Sequence, residues 1–346
     1  MTATSSKSIV SSPARRRRWL SDARQRYALL VAWAAVIVLF GILRPNTFLT
    51  TADFSSILGS QAVLLVLTLA LIIPLTSGDY DLSVASILSL ASMEVAVLNV
   101  NEHWPILAAI AVALATGLVA GIINGAIVVA FGLDSLIVTL GTGTFVEGLV
   151  YWISGSNTIS GISNGLINWV ILKRLLGVPI VFFYGLLLCF VLWYLLDYTP
   201  LGRRMLIVGR GRSVARLSGL NVSRIRWGAL AASGLVSAFA GVLYAGSTGA
   251  ADPTSGGGFL LPAFAAAFLG ATSIMPGRFN PWGSLTAVYF LVTGITGLQI
   301  IGVQGFVQDL FYGGALVVAL ALSQFTRKKR TVRRRGQRKE EIRSVD

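Results

Sequence analysis

From Tyr27 to Phe325 the chain is a succession of long apolar stretches separated by short polar ones, with lysines and arginines gathered in blocks around them. Ile57 to Thr76 runs twenty residues without a charge, Trp104 to Leu133 thirty, and Leu175 to Leu196 twenty-two. A helix on the surface of a water-soluble core keeps one polar face. These stretches keep none, and each is long enough to cross about 30 Å of hydrocarbon as a helix. With the turn residues between them, the pattern predicts ten spans, near 27–43, 57–76, 82–100, 104–131, 135–153, 178–196, 227–247, 258–275, 283–301 and 304–325. The expected fold class is an all-α polytopic membrane protein of about ten transmembrane helices.

Charge orients these spans. Ten crossings put both termini on one side, and if that side is the cytoplasm the inner segments hold twenty-five of the twenty-eight Lys and Arg residues. The outer loops keep only Arg44, Lys173 and Arg174, which is the positive-inside bias. The expected organisation is a basic cytoplasmic tail over 1–26, a membrane domain over 27–325 with a cytoplasmic loop at 197–226, and a second basic cytoplasmic tail over 326–346. Topology also accounts for the net charge of +14. Anionic lipid at the inner face attracts basic tails, so the expected partner is the lipid membrane and not nucleic acid. The block Arg15 to Leu20 resembles the basic end of a secretory signal, but no small-residue cleavage site follows it. The first apolar run is therefore read as an uncleaved helix.

Six of the eight tryptophans, Trp104, Trp152, Trp169, Trp193, Trp227 and Trp282, fall at span ends or in adjoining loops, where amphipathic rings settle at headgroup level. Gly117, Gly121 and Gly125 recur every four residues in the fourth span. Such a ridge lets another backbone approach closely, so this helix is expected inside the bundle, away from lipid. The single cysteine, Cys189, lies in an apolar span and leaves disulfides no part in the fold.

Missing chemistry narrows the function. There is no GxxxxGK[ST] loop, and the nearest stretch, Ser255-Gly256-Gly257-Gly258, has no lysine. This chain is not expected to hydrolyse ATP by itself. One histidine, His103, and one buried cysteine make neither a zinc site nor a Cys/His nucleophile pair. No metal, cofactor or catalytic centre is expected, and ten helices without a reaction centre are most simply a transporter or channel.

Two irregular segments stand out. Ser77 to Ser83, bearing Asp79 and Asp81, separates the second and third spans; Gly249 to Gly258, bearing Asp252, separates the seventh and eighth. Both are short, Gly-containing, Asp-bearing breaks ahead of a small-residue helix. If spans 2–5 match spans 7–10, the breaks lie on opposite sides, as an inverted-topology repeat requires. The plainer alternative is that Asp81 and Asp252 cap or precede helices, accepting backbone N–H bonds at their positive ends.

Polar residues inside the spans suit a neutral polyol, which needs scattered donors and acceptors and no deep charged well. Asn124 lies in the fourth span, Thr139, Thr142 and Thr144 in the fifth, and Gln304 and Gln308 at the start of the tenth. For any single threonine, a back-bond to its own helix carbonyl is the plainer reading. Glu94, Glu147 and Asp309 also fall within spans. Each costs about 2.5 to 3.5 kcal/mol on insertion scales unless it meets water or a partner. They keep open a proton-coupled secondary transporter.

Several motifs in fixed order carry a family resemblance: Pro74 to Ser83 (PLTSGDYDLS), Gly121 to Gly125 (GIING), Ser135 to Gly141 (SLIVTLG), Ala215 to Leu220 (ARLSGL), Asp252-Pro253 and the Gly270 to Trp282 segment. Together they resemble the permease subunits of bacterial ABC importers for ribose and related simple sugars, over nearly the whole chain apart from the basic tails. The resemblance implies a permease in the bacterial plasma membrane, paired with a second permease subunit and two cytoplasmic ABC ATPase subunits. It also implies an extracytoplasmic solute-binding protein that delivers the substrate. Alternative cargoes moved by related permeases are a nucleoside, an autoinducer-like furanosyl compound or a branched-chain amino acid. Two positions depart from the family pattern: Glu147 where a basic residue is usual, and Gly209-Arg210-Gly211-Arg212 in place of a Gly-Gly-Asn run.

Within the 197–226 loop, Ser213 can cap a short helix over Val214, Ala215, Arg216, Leu217 and Ser218, with Gly219 suited to a left-handed stop. The resemblance implies that this is the coupling helix that docks on the ATPase. On that reading Val214 and Leu217 make the apolar contact, and Arg212 and Arg216 pair with acidic groups at the groove rim.

Overall fold

The computed structural model describes residues 13–48 and 50–321. The expected tail over 326–346 lies outside the described residues. The helix α1 (Pro13–Leu43) begins inside the segment expected as the first tail. There follow α2 (Pro45–Phe48), α3 (Thr51–Ser60), α4 (Ala62–Ser77), α5 (Val84–Ala96, continued by a wider turn over Val97–Asn101), α6 (Ile106–Ala130) and α7 (Ser135–Ser154). After them come α8 (Asn164–Ile167), α9 (Ile180–Tyr198), α10 (Pro200–Arg210), α11 (Arg212–Leu217), α12 (Val222–Thr248), α13 (Gly257–Gly270), α14 (Pro281–Ile300) and α15 (Val307–Ala321). Four two-residue strands, β1 (Ile159–Ser160), β2 (Arg174–Leu175), β3 (Val178–Pro179) and β4 (Ala250–Ala251), form two antiparallel pairs, β1 with β4 and β2 with β3.

Over its described residues each of the ten expected spans overlaps a helix, but not all of these helices are long enough to cross a membrane. Among the described residues seven helices are long and apolar enough to cross a membrane, and the bent pair α3–α4, taken as one span, makes an eighth. The other two, α13 and α15, are shorter apolar helices among the described residues, and α15 runs to the last of these. For α13 the reason is visible in the packing. The Gly256 N–H donates to Ser89 Oγ at 2.8 Å, and a Cβ on Gly256 would lie 2.2 Å from the Ala85 carbonyl oxygen. The chain leaving α12 therefore turns back into the bundle, and α13 starts beside the first turns of α5.

The core is built around α4, whose sixteen residues are all buried. It packs against α12, α13, α9, α10 and α14. A helix apolar all round belongs in a protein core or in a membrane; α4 reads AVLLVLTLALIIPLTS and is enclosed by its neighbours.

The glycine ridge of α6 meets α12 backbone to backbone. A Cβ on Gly117 would come within 2.3 Å of Ala238 Cβ, one on Gly121 within 2.5 Å of the Leu230 carbonyl, and one on Gly234 within 2.3 Å of the Gly117 carbonyl. The close approach expected of this ridge is present, but the expected central position is not. Only the face carrying Ala109, Ala113, Gly117, Gly121, Asn124, Gly125 and Val128 is buried, while Leu107, Val119 and Ile123 on the other faces are exposed. Small residues fix how near one partner comes; Leu, Val and Ile on the remaining faces leave the helix at the periphery.

Gly121→Val should therefore force the α6–α12 seam apart, at about 1–3 kcal/mol or more for overpacking. Gly228→Ala, where the added Cβ meets nothing within 4 Å, should be neutral. Thermal melts of the detergent-solubilised variants check both; equal melting of Gly121→Val and the parent would contradict the seam.

Candidate functional site

The break between α4 and α5 is held from four sides. The α4 helix ends on Gly78, whose φ of 81° is the left-handed stop that glycine supplies, and the Asp79 N–H returns to the Pro74 carbonyl at 3.0 Å. The Asp79 side chain is fully buried. Arg226, in the first turns of α12, donates to it through Nε (2.8 Å to Oδ2) and a terminal nitrogen (2.6 Å to Oδ1). Arg212, the first residue of α11, adds a bond to Oδ1 at 2.9 Å and one to the Gly78 carbonyl at 3.0 Å. One buried carboxylate is thus shared by two arginines from two elements.

The rest of the break is fixed by α6 and α7. The Tyr80 N–H donates to Ser135 Oγ and the Leu82 N–H to Thr139 Oγ1, both at 2.9 Å. Asp81 Oδ1 accepts from the N–H and hydroxyl of Ser83 at 3.1 and 2.5 Å, and Asn124 Nδ2 donates to Ser83 Oγ at 2.8 Å. Buried polar groups cost free energy unless bonded, and these partners keep a non-helical segment inside a membrane bundle.

The second break repeats the same local device. Asp252 Oδ1 accepts from the N–H and hydroxyl of Thr254 at 2.8 and 2.5 Å, as Asp81 does from Ser83. Asp-x-Ser in one break and Asp-x-Thr in the other form the same side-chain turn. The breaks lie at opposite ends of α12: Arg226 near its start holds the first, and its C-terminal residue Thr248 leads into the second. Neither aspartate is the residue at which its helix starts; Ser83 and Gly256 stand there. Thr158 also donates to Asp252 Oδ2 at 2.5 Å, tying the break to β1. Hydrogen bonds from Thr158 and then Thr254 hold the Asp252 carboxyl below its ordinary value of 3.8. This clip is therefore complete above the ordinary aspartate range and is lost as pH falls through the lowered value.

The polar residues expected along a solute path divide into two groups. Asn124 and Thr139 are buried; Asn124 Nδ2 and the Thr139 hydroxyl bond to the first break, while Asn124 Oδ1 has no partner among the described residues. Thr142 and Thr144 back-bond to the Val138 and Leu140 carbonyls at 3.0 and 3.1 Å, the plainer reading for each. Thr142 is half-buried, and Thr144, Gln304 and Gln308 are exposed, as are Glu147 and Asp309; Glu94 is half-buried.

The 197–226 loop differs from expectation in three ways. It holds two helices, and the missed one, α10, starts at Thr199-Pro200, with the Thr199 hydroxyl accepting from the Gly202 N–H. Its Gly209 lies against the end of α4, where a Cβ would come within 2.2 Å of the Thr76 carbonyl. Second, α11 begins at Arg212 with Gly211 before it, so Ser213 lies inside the helix and does not cap it. Gly219 does take the left-handed conformation, φ 75°. Third, Arg212 is bound within the chain by Asp79 and Gly78. Ala215 is buried, whereas Val214 and Leu217 are 62% and 90% exposed; Arg216 is exposed as well.

A family model described as the permease component of branched-chain amino acid transport systems matches residues 53–320. The chain belongs to this family of transport permeases. Among its relatives, the D-allose transport system permease protein AlsC of Escherichia coli (strain K12) is 30% identical over 303 residues, 88% of this chain and 93% of that protein. The ribose import permease protein RbsC of Bacillus subtilis (strain 168) is 32% identical over 291 residues, covering 84% and 89%. The autoinducer 2 import system permease protein LsrD of Photorhabdus laumondii is 31% identical over 312 residues, covering 86% and 91%. No solved structure matches the chain. The fold is accordingly that of a multi-pass membrane permease, a transport component and not a catalytic enzyme.

Asp79→Asn should leave Arg226 buried without its counter-charge and destabilise the permease by about 3–5 kcal/mol. Replacing both by apolar residues of similar size, Asp79→Leu with Arg226→Met, should recover much of that loss. Thermal unfolding of the three proteins checks this, and an Asp79→Asn variant as stable as its parent would contradict the ion pair's role.

Proposed function

We propose that this chain is the membrane permease of an ATP-driven importer for a ribose- or allose-like monosaccharide. The solute is delivered by a binding protein at the end carrying β1 and β4, and ATP is hydrolysed on separate subunits docked at the end carrying α11. The family description names amino acid transport, but the relatives above are named for allose, ribose and autoinducer 2. A path lined by hydroxyls and amides suits an uncharged solute better than a zwitterion. Thr142, Thr144, Gln304 and Gln308 are the residues assigned to that path. The exposed carboxylates Glu147 on α7 and Asp309 on α15 are costly against lipid, which supports a second permease subunit facing them.

The observation that carries the reading is the state of α11. It has six residues, too few to stand alone, and is anchored by buried Ala215 and by Arg212 on the break. Its apolar residues Val214 and Leu217 nonetheless point away from the protein. A helix held in place from behind with leucine presented outward is suited to dock into a groove on another subunit. Arg216 is the cation placed to meet acidic groups there, and Arg212 serves instead as the internal link from the docked subunit to the break. Both termini, by the charge bias, are cytoplasmic on the same side.

Leu217→Asp should weaken ATPase association roughly 10- to 100-fold, the loss expected from one buried leucine, while insertion and folding stay normal. Co-purification of the ATPase and uptake in reconstituted vesicles check it. Unchanged association and uptake would sink the docking assignment, and uptake that stops with a proton uncoupler while ignoring ATP would favour the proton-coupled alternative.

A further inference from the structure

A cavity of about 600 Å³ lies away from both breaks, between α1, the α2–α3 region, α14 and the β2–β3 hairpin. Its size falls in the range of about 300–1,000 Å³ usual for ligand sites. Trp33, Ile37, Phe54, Ile57, Leu58 and Val178 contribute most of its apolar wall, and Arg174 stands in its lining. The polar groups around it are already spent. Trp33 Nε1 donates to Thr293 Oγ1 at 3.0 Å, the Tyr289 hydroxyl to the Leu58 carbonyl at 3.0 Å, and the Ser55 hydroxyl to the Gly177 carbonyl at 2.7 Å. A sugar would find few free partners here. An alkyl chain would need none.

The cation is the distinguishing feature. Arg174 makes no ion pair among the described residues, whose salt bridges involve Arg212, Arg226 and Arg278. Its neighbour Lys173 sits 3.2 Å from the centre of the Trp169 ring, a cation–π contact that occupies this second cation. The hairpin tip exposes Leu175 and, at 90%, Leu176. Leu176 is held at φ 53° beside Gly177 at φ 80°, so a strained turn presents leucine outward. That arrangement is intelligible if the tip sits in the acyl region of a bilayer with arginine at headgroup level.

We propose that this cavity holds an acyl chain of an anionic phospholipid whose phosphate is bound by Arg174. The guanidinium supplies a charge-assisted, forked contact to phosphate, and the apolar wall takes the chain. The site is separate from the solute path and the ATPase contact, so it stands whether or not the cargo is a sugar.

The test uses the full-length protein in mild detergent, incubated with dioleoylphosphatidylglycerol or dioleoylphosphatidylcholine, with retained lipid counted by native mass spectrometry. The parent should retain one phosphatidylglycerol in preference to phosphatidylcholine. Arg174→Gln should lose that preference, roughly tenfold in affinity, and Arg174→Lys should restore part of it. Ile37→Trp, which fills the cavity and leaves the arginine in place, should cut retention of both lipids; Ile57→Phe repeats this arm if the first variant does not fold. Equal retention of the two lipids by the parent overturns the proposal. So does an unchanged preference in Arg174→Gln, or full retention in both cavity-filling variants. A disulfide between two copies carrying Leu176→Cys, formed in the absence of lipid, would assign the surface to a second copy and overturn it equally.

Discussion

The structure turns on a single carboxylate. Asp79 lies with no exposure at the point where α4 stops and the chain turns toward α5. An ionised carboxylate removed from water costs several kcal/mol even after relaxation, so it persists only with charge and hydrogen bonds arranged around it. Arg226 meets both oxygens and Arg212 adds a third charged contact. These two residues belong to α12, the longest fully described helix inside the bundle, and to α11, the short helix that presents leucine outward. One buried charge therefore fixes the first break, the start of α12 and the seat of α11 together.

From that fixed point the two breaks can be compared. Both use an aspartate that accepts the N–H and hydroxyl of the residue two places on, both precede a helix start, and they stand at opposite ends of α12. This is the arrangement an inverted repeat would produce, reached through side-chain chemistry where sequence similarity between the halves is weak. The difference between them is burial. The first break is sealed by α6, α7, α11 and α12; the second is clipped by Thr158 on an exposed loop. Irregular backbone at membrane depth needs internal partners, and the sealed break supplies them for the Asp79 carboxylate and for the N–H groups of Asp79, Tyr80, Leu82 and Ser83. Through Arg212 this segment is also tied to α11.

The spans were legible because a hydrocarbon solvent demands uninterrupted apolar sequence, and that demand is local. The same holds for Gly219, whose stop is set by its own backbone. What sequence could not show was which residues meet. Arg212 reads as a free cation for a partner subunit until folding brings Asp79 to it from 133 positions away. Thr139 reads as a path residue until its hydroxyl is found on the Leu82 N–H. The helix α10 is signalled by Thr199-Pro200, a cap followed by a residue favoured in a first turn, a local signal that the loop's arginines, which mark topology, do not carry. The peripheral place of α6 escaped because a glycine ridge reports contact on one face and is silent about the others.

If the Asp79 cluster transmits motion from the ATPase contact to the break, cutting its outer strand should separate hydrolysis from transport without removing either partner. Arg212 is 43% exposed, the Arg226 contacts to Asp79 do not involve it, and the second anchor of α11, buried Ala215, is left in place, so Arg212→Gln should fold and still bind the ATPase. The decisive measurement is the number of ATP molecules hydrolysed per solute imported in reconstituted vesicles. A ratio raised severalfold in Arg212→Gln, with ATPase binding intact, is the result this account predicts; a ratio equal to the parent's would contradict it.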